Sequence, residues 1–371
     1  MGYIHWTEYM LKFEVEEREL LDGLVDAIGA LPQGEAWIEG REVAIGPRGR
    51  VDAVVNAAVA GRPLQLIVEA KREAFPRDVR EAIWQLRNYL AHLPDAAREV
   101  VPFFVARAIS PGARDILREE GVGFYDMGGT LYIPAKHALV HIDRPPPRKS
   151  SKAFDSLFQG QKARVMQEVF SRRSEWLSVK KIAEDTEVSA ATASATLSEM
   201  ERREWMEVEG AGPSKLRRLR APRQLLDAWT TFIADQKPPK MVRYYVPDVD
   251  THALSRRLDE ACHHAAAAYA VTAEAAAQAY APYLSSISQL RCRIIPGPQQ
   301  MEALEMIRAR PVSEGWNLGV IETRARGDVT VGERLDGVCL APPLQVYLDL
   351  LHGTGRSREM AAHLRAERLE A

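Results

Sequence analysis

Residues 51–59 and 64–70 are two runs of strand-forming side chains, parted only by a turn at Gly61-Arg62-Pro63. The simplest fold for such runs is an antiparallel hairpin. With its turn centred near Ala60 and Gly61, Asp52 falls directly opposite Glu69. Cross-strand Cβ atoms on one face lie roughly 5 Å apart, and Lys71, two residues past Glu69, shares that face. Two carboxylates that close repel each other unless a cation sits between them. Hard oxygen ligands select Mg²⁺ or Mn²⁺. Asp52 and Glu69 are therefore candidate metal ligands. Lys71 is a candidate for orienting a metal-activated water or neutralising charge on a phosphate. Residues 77–90 read as the following helix, which turns Gln85 back toward the sheet to hold the lysine or the nucleophile. Upstream, residues 14–31 read as a helix with an apolar stripe of Leu21, Leu24, Val25, Ile28 and Leu31. One turn before that stripe stands Glu17, in competition with Glu14 and Glu16.

Gly49-Arg50-Val51-Asp52, Glu69-Ala70-Lys71 and Gln85-Leu86-Arg87-Asn88-Tyr89 follow one another on strand, strand and helix. This arrangement resembles the PD-(D/E)XK, or restriction-endonuclease-like, superfamily, particularly its RecB-like and Holliday-junction-resolvase-like members. The resemblance covers residues 14–134 and implies an α/β/α core around a mixed sheet. It places Asp52, Glu69 and Lys71 at catalytic positions, and Glu17 at the upstream helix acid. Strand patterns at 101–106, 123–127 and 131–134, and a helical one at 111–120, agree with it.

At 371 residues the chain exceeds one ordinary core. Arg144-Pro145-Pro146-Pro147-Arg148-Lys149-Ser150-Ser151-Lys152 reads as a stiff, solvated linker. Gln236-Lys237-Pro238-Pro239-Lys240 marks a second break. The expectation is a multidomain α/β chain with domains at 1–143, 153–235 and 241–371. Charge is uneven: residues 144–223 hold seventeen Lys and Arg against eleven Asp and Glu, while the whole chain carries a formal net charge of −2. The middle part is the one suited to a polyanion.

That middle part reads as helices at 162–172, 178–186 and 190–203, a strand at 206–209, a turn, and a basic strand at 215–220. Ser178 and Ser189 are suitable N-caps. The order resembles the winged helix-turn-helix domain of bacterial transcriptional regulators, over residues 160–222. Ser189, Ala191, Thr192 and Ser194 would face the major groove of double-stranded DNA, and Arg217, Arg218 and Arg220 would meet phosphate or the minor groove. No Arg, Asn or Gln opens the third helix, so shape readout or thymine-methyl contacts are expected over bidentate base reading.

Residues 241–371 resemble, on softer motifs, the nucleotidyltransferase-like C-terminal domain of type IV abortive-infection antitoxins. The resemblance implies an α+β fold. The chain has Thr272-Ala273 where relatives often show a Thr-Gly pair, and it lacks a Gly-Ser motif with paired aspartates. A structural or partner-binding role is expected, with Asp349 as an ordinary charged helix residue.

Three separated cysteines without a CxxC pair argue against a zinc site or a disulfide framework. No signal segment or membrane-length apolar run is visible, so a cytoplasmic location without membrane contact is expected. Three functions follow. The leading expectation is a DNA-binding transcriptional regulator with a nuclease-fold domain. The alternative is a Mg²⁺- or Mn²⁺-dependent DNA endonuclease targeted by the winged helix. The third is an antitoxin-like protein that neutralises a partner toxin. The sequence leaves a homodimer open.

Overall fold

The two β-forming runs become β2 (Gly49–Val59) and β3 (Arg62–Ala74). They are joined by Ala60 and Gly61, both left-handed at φ 51° and 73°. Two such residues give a two-residue hairpin the twist its strands require. The ladder runs from Val59 opposite Arg62 to Ala53 opposite Val68, which is the expected register. The computed structural model describes residues 2–45, 49–92, 98–144, 156–247, 250–284, 286–323, 329 and 332–370.

Around the hairpin stand β1 (Glu35–Ile45), β4 (Glu99–Ile109), β5 (Gly123–Asp126), β6 (Leu131–Ala135) and β7 (Ala138–Ile142). The seven strands lie side by side in chain order. β4 runs parallel to β3 and β5, and the remaining pairs are antiparallel. Helix α1 (Gly2–Gly29) covers one face, burying Leu20, Leu21, Leu24 and Ile28 against Val55, Leu66, Val68 and Phe103. Helices α2 (Pro76–Leu90) and α3 (Pro111–Glu119) cover the other, where Val79, Ile83 and Leu86 meet Val54, Ile67 and Phe104. This is an α/β/α sandwich on a mixed sheet. Side chains alternate along a strand, so Asp52 shares a face with Val54, and Glu69 with Ile67, beneath α2. Strands β1 and β7 go beyond the sequence reading. β1 hides its alternation behind Glu39-Gly40-Arg41-Glu42, with a register shift at Ile38/Gly40 and Glu42 at φ 48°. Helix α1 stops at Gly29, short of the expected residue 31.

The chain divides into two compact units, Met1–Leu157 with Ala195–Glu207, and Phe158–Ser194 with Val208–Ala371. Within the first, Arg202 Nη2 lies 2.8 Å from Asp78 Oδ2 at the start of α2, and its guanidinium sits 4.4 Å over the Phe75 ring. From residue 160 the chain runs α4 (Gly160–Ser171), α5 (Val179–Thr186), α6 (Ala190–Arg202) and a two-stranded sheet of β8 (Met206–Glu209) and β9 (Leu216–Leu219). Ser178 Oγ accepts from Lys181 N, and Ser189 Oγ from Thr192 N, each at 3.1 Å, so both serines cap their helices. The triple-proline segment at 145–152 lies outside the described residues.

The second unit continues through α7 (Pro222–Ala234), β10 (Met241–Tyr245), α8 (Thr251–His264), β11 (Tyr269–Thr272), α9 (Ala273–Tyr280), β12 (Leu290–Ile294), α10 (Pro298–Met306), β13 (Arg310–Pro311) and β14 (Leu318–Glu322). Helices α11 (Pro343–Leu351) and α12 (Arg356–Leu364) follow. Its five-stranded sheet has the order β11-β12-β14-β10-β13. Asp349 corrects the sequence reading. It is buried, not solvated, and accepts hydrogen bonds from Thr272 Oγ1 (2.5 Å), Arg293 Nε (2.9 Å) and Gln345 Nε2 (2.9 Å). Cys262 and Cys292, thirty residues apart in sequence, are both buried as free thiols, and burial pushes the Cys262 thiol up to about 12. Among the described residues no helix is long and apolar enough to cross a membrane.

Candidate active site

The β2/β3 ladder stops at Ala53 and Val68. Before that point β2 stays paired with β1 alone, at Val51 and Arg50, while β3 continues against β4 alone, at Glu69, Ala70 and Lys71. The strands part where the chemistry-bearing residues lie. Asp52 spans the opening: its Oδ2 accepts from the Ala70 backbone N–H at 2.6 Å, in place of a ladder hydrogen bond. The continued register puts Asp52 opposite Glu69, and the two carboxyl groups are hydrogen-bonded to each other.

Glu69 is only 4% exposed. Burial first, and then the Asp52 charge, push its carboxyl up to about 8, while Lys71 pulls it back down. Burial also raises Asp52, against the Ala70 hydrogen bond and the Lys71 charge that hold it down. Two buried acids in contact resist ionising together, and the Lys71 charge offsets only part of that resistance. The pair therefore retains a proton at neutral pH when no cation is present.

Lys71 and Glu17 are close enough to the pair for their charges to act on it, and Gln85 stands on the helix that covers this face. Gln85 Oε1, on α2, is buried and has no hydrogen-bond partner. Tyr89, one turn further along the same helix, accepts at its hydroxyl oxygen from the Arg50 backbone N–H, and its titration is raised on balance by burial and by the charges of Glu69 and Asp52. The sequence motif contains Tyr89, but the spacing gave it no role. Of the three upstream acids, Glu17 lies close enough for its charge to raise Glu69. Glu16 is engaged elsewhere, 3.5 Å from both Arg72 and Arg107, and the Glu14 side chain lies outside the described residues. Glu17, Ala70 and Lys71 help line a cavity of about 10 Å³, which is room for about one water.

These residues fit a divalent ion of the Mg²⁺ class. Mg²⁺ is usually held by one or two carboxylates and keeps the rest of its shell for water and phosphate. The orphaned Gln85 carbonyl oxygen on the covering helix is a further acceptor available to a cation's water or an ammonium. Among the described residues no cluster of three or more His, Cys, Asp or Glu is arranged to hold a metal ion.

The candidate DNA-reading residues are placed less uniformly. Ser189 and Ala191 are exposed on the first turn of α6, and Thr192 and Ser194 are half-buried. Arg220 is exposed, and Arg218 lies 4.7 Å over the Trp176 ring. Arg217 overturns the expectation of an outward cation: it is 5% exposed, because strand alternation turns it inward with Leu219 and its backbone bridges Leu177. Several cations of the basic middle segment are also neutralised locally. Arg172 lies 2.6 Å from Glu175 and 2.5 Å from Asp185, and Lys181 lies 2.8 Å from Asp185.

No family model matches the chain, and no curated protein matches it. Solved structures to which it is similar include a repair endonuclease from Pyrococcus abyssi, at 25% identity over 31% of this chain and 46% of that one, with a TM-score of 0.23. Another is the EndoMS–dsDNA2 complex, at 26% identity over 33% of this chain and 45% of that one, also with a TM-score of 0.23. These weak structural neighbours are repair endonucleases, matched over less than half of their own length. A likeness of that size carries no argument by itself.

Proposed function

We propose that this chain is a divalent-metal-dependent DNA endonuclease, with Asp52 and Glu69 as metal ligands and Lys71 as the cationic residue at the scissile phosphate. The observation that carries the reading is the parted end of the β2/β3 ladder. There two carboxyl groups touch across the gap with the Lys71 charge beside them, under the helix that carries the unsatisfied Gln85 carbonyl. A structural role would favour apolar or fully satisfied groups at such a place, because unpaired buried acids cost stability. A bound divalent ion would supply Lewis-acid stabilisation of the phosphoryl oxygens and a more acidic water. The chain's own contribution is positional. Asp52 is locked by the Ala70 N–H, Glu69 is held opposite by the hairpin register, and Lys71 extends from the same face to orient the attacking water or a phosphate oxygen. Gln85 Oε1 accepts from that water or from the lysine ammonium, and Glu17 adds negative charge from α1. In this proposal the segment from α4 to β9 serves as a winged-helix module that presents duplex DNA.

The test is cleavage of plasmid, single-stranded and branched DNA with Mg²⁺ or Mn²⁺. Asp52→Asn and Lys71→Ala should each lose at least ~100-fold in rate while keeping native circular dichroism. Gln85→Leu should lose activity but change stability by less than about 1 kcal/mol, because its carbonyl has no hydrogen bond to forfeit. Equal activity in Asp52→Asn, or no cleavage by the unmodified protein on any of these substrates, overturns the reading. No observation on the described residues specifically favours a transcriptional regulator or an antitoxin over it.

A further inference from the structure

The sheet of the second unit has two unlike faces. Leu290, Cys292, Ile294, Leu318 and Val320 point to one side and are buried core. The other side can be read across the strands. Tyr245 on β10 is opposite Arg310 on β13. Arg243 on β10 is opposite Gly319 on β14, which is level with Arg291 on β12. Cross-strand partners share a face, and so do residues two apart on a strand. Arg310, Tyr245, Arg243, Gly319 and Arg291 therefore form a continuous row. Its β10/β13 end is open: Arg243 and Arg310 are exposed, and Tyr245 is 45% exposed.

Gly319 leaves room on this face for two side chains. A Cβ at that position would meet Met241 Sδ at 2.5 Å and Trp316 Cζ3 at 3.2 Å, so the glycine lets the Met241 thioether and the indole lie close over the strand. The ring centroid is then 6.0 Å from the Arg243 guanidinium carbon and 5.8 Å from that of Arg291. Arg291 reaches Glu274 at 3.4 Å, yet its Nε is buried without a hydrogen-bond partner. Arg243 donates to the Ser313 carbonyl at 3.2 Å. Among the described residues neither Arg243 nor Arg310 has a carboxylate partner. Lys240 and Arg308 are exposed next to β10 and β13 in sequence, as are the acids Glu305 and Glu314.

We propose that this open sheet face binds single-stranded nucleic acid, with Tyr245 stacking a base and Arg243 and Arg310 contacting backbone phosphates. The chemistry is complementary on both counts. Guanidiniums without a carboxylate partner among the described residues can take an anion, and an exposed ring flanked by cations offers a π-face to any base. A duplex hides its base faces, so the aromatic part of the row favours a single strand. This site uses residues distinct from Asp52 and Glu69 and does not depend on the nuclease reading.

The test uses the full-length Asp52→Asn protein, so that a failed nuclease reading and a failed binding reading are distinguishable. Fluorescence anisotropy with a short labelled oligo(dT) at low salt should show saturable binding. Arg243→Glu combined with Arg310→Glu should weaken it at least ~10-fold and flatten its salt dependence. Tyr245→Ala should weaken it about 5- to 100-fold, whereas Tyr245→Phe should stay within about twofold. These side chains are exposed, so the variants should melt as the parent does. The proposal is overturned if the parent fails to bind oligo(dT), or if the variants bind it unchanged. It is equally overturned if a DNA hairpin duplex binds as tightly and loses as much in the same variants. A change of sedimentation in the variants in place of a change in binding would assign the face to a second copy of the chain and overturn it too.

Discussion

Glu69 shows how one residue can tie fold to chemistry. Its carboxyl is raised from an ordinary 4.5 to about 8, so the cation-free folded state holds a proton that the unfolded chain releases above about pH 4.5. Stability from this group is complete below the unfolded value and is lost as pH rises through the folded one. Denaturant titrations in EDTA should therefore show stability falling between about pH 4.5 and 8, by up to ~1.4 kcal/mol per pH unit for one proton. Glu69→Gln should flatten that dependence. Mg²⁺ should oppose it, since a ligand carboxylate must be deprotonated. Asp52, Glu69 and Lys71 were legible because all three sit within one hairpin, where register follows from a short turn. Glu17 was only one of three nearby acids until α1 showed Glu16 engaged by Arg72 and Arg107. Arg217 was misread. In a basic strand flanked by other arginines, charge alone does not reveal which side chain alternation turns inward.

At the scale of elements, the hairpin is the part that positions the site. Its turn places Ala60, a residue with a Cβ, at φ 51°, which costs about 1–2 kcal/mol relative to a residue that tolerates the left-handed region. Ala60→Asn should therefore stabilise the protein by up to ~1 kcal/mol, visible as a raised melting temperature, with cleavage unchanged because register is preserved. Lengthening the turn by one residue would turn Asp52 away from Glu69. Helices α5 and α6 were readable to within a residue at their starts because Ser178 and Ser189 cap them through local hydrogen bonds. β1 was not readable, because its bulge interrupts the period-two pattern that identifies a strand. β7 is a five-residue strand of partly buried side chains, too short for its pattern to stand out.

At the scale of the whole molecule, each compact unit closes around contacts between segments far apart in sequence. Asp349 is the clearest instance in the second unit. Burial pushes its carboxyl up, but Arg293 and the hydrogen bonds from Thr272 and Gln345 more than compensate and hold it below the usual carboxylate range. Asp349→Ala would remove the buried carboxylate that the Arg293 guanidinium, 11% exposed, is paired with. It should cost about 3–5 kcal/mol by denaturant titration, more than Asp349→Asn, which keeps part of the hydrogen bonding. By itself the sequence determined what short-range physics controls: the hairpin register that sets Asp52 against Glu69, the helix starts at serine caps, and the mixed α/β character. Only the tertiary structure decided which charges are buried and which face solvent. Tyr245, Arg310, Arg243 and Arg291 share a surface, Asp349 and Arg217 lose theirs, and Gln85 is left with an unsatisfied carbonyl. The reason is that burial and strand order depend on partners tens of residues away, whose pairing no local spacing encodes.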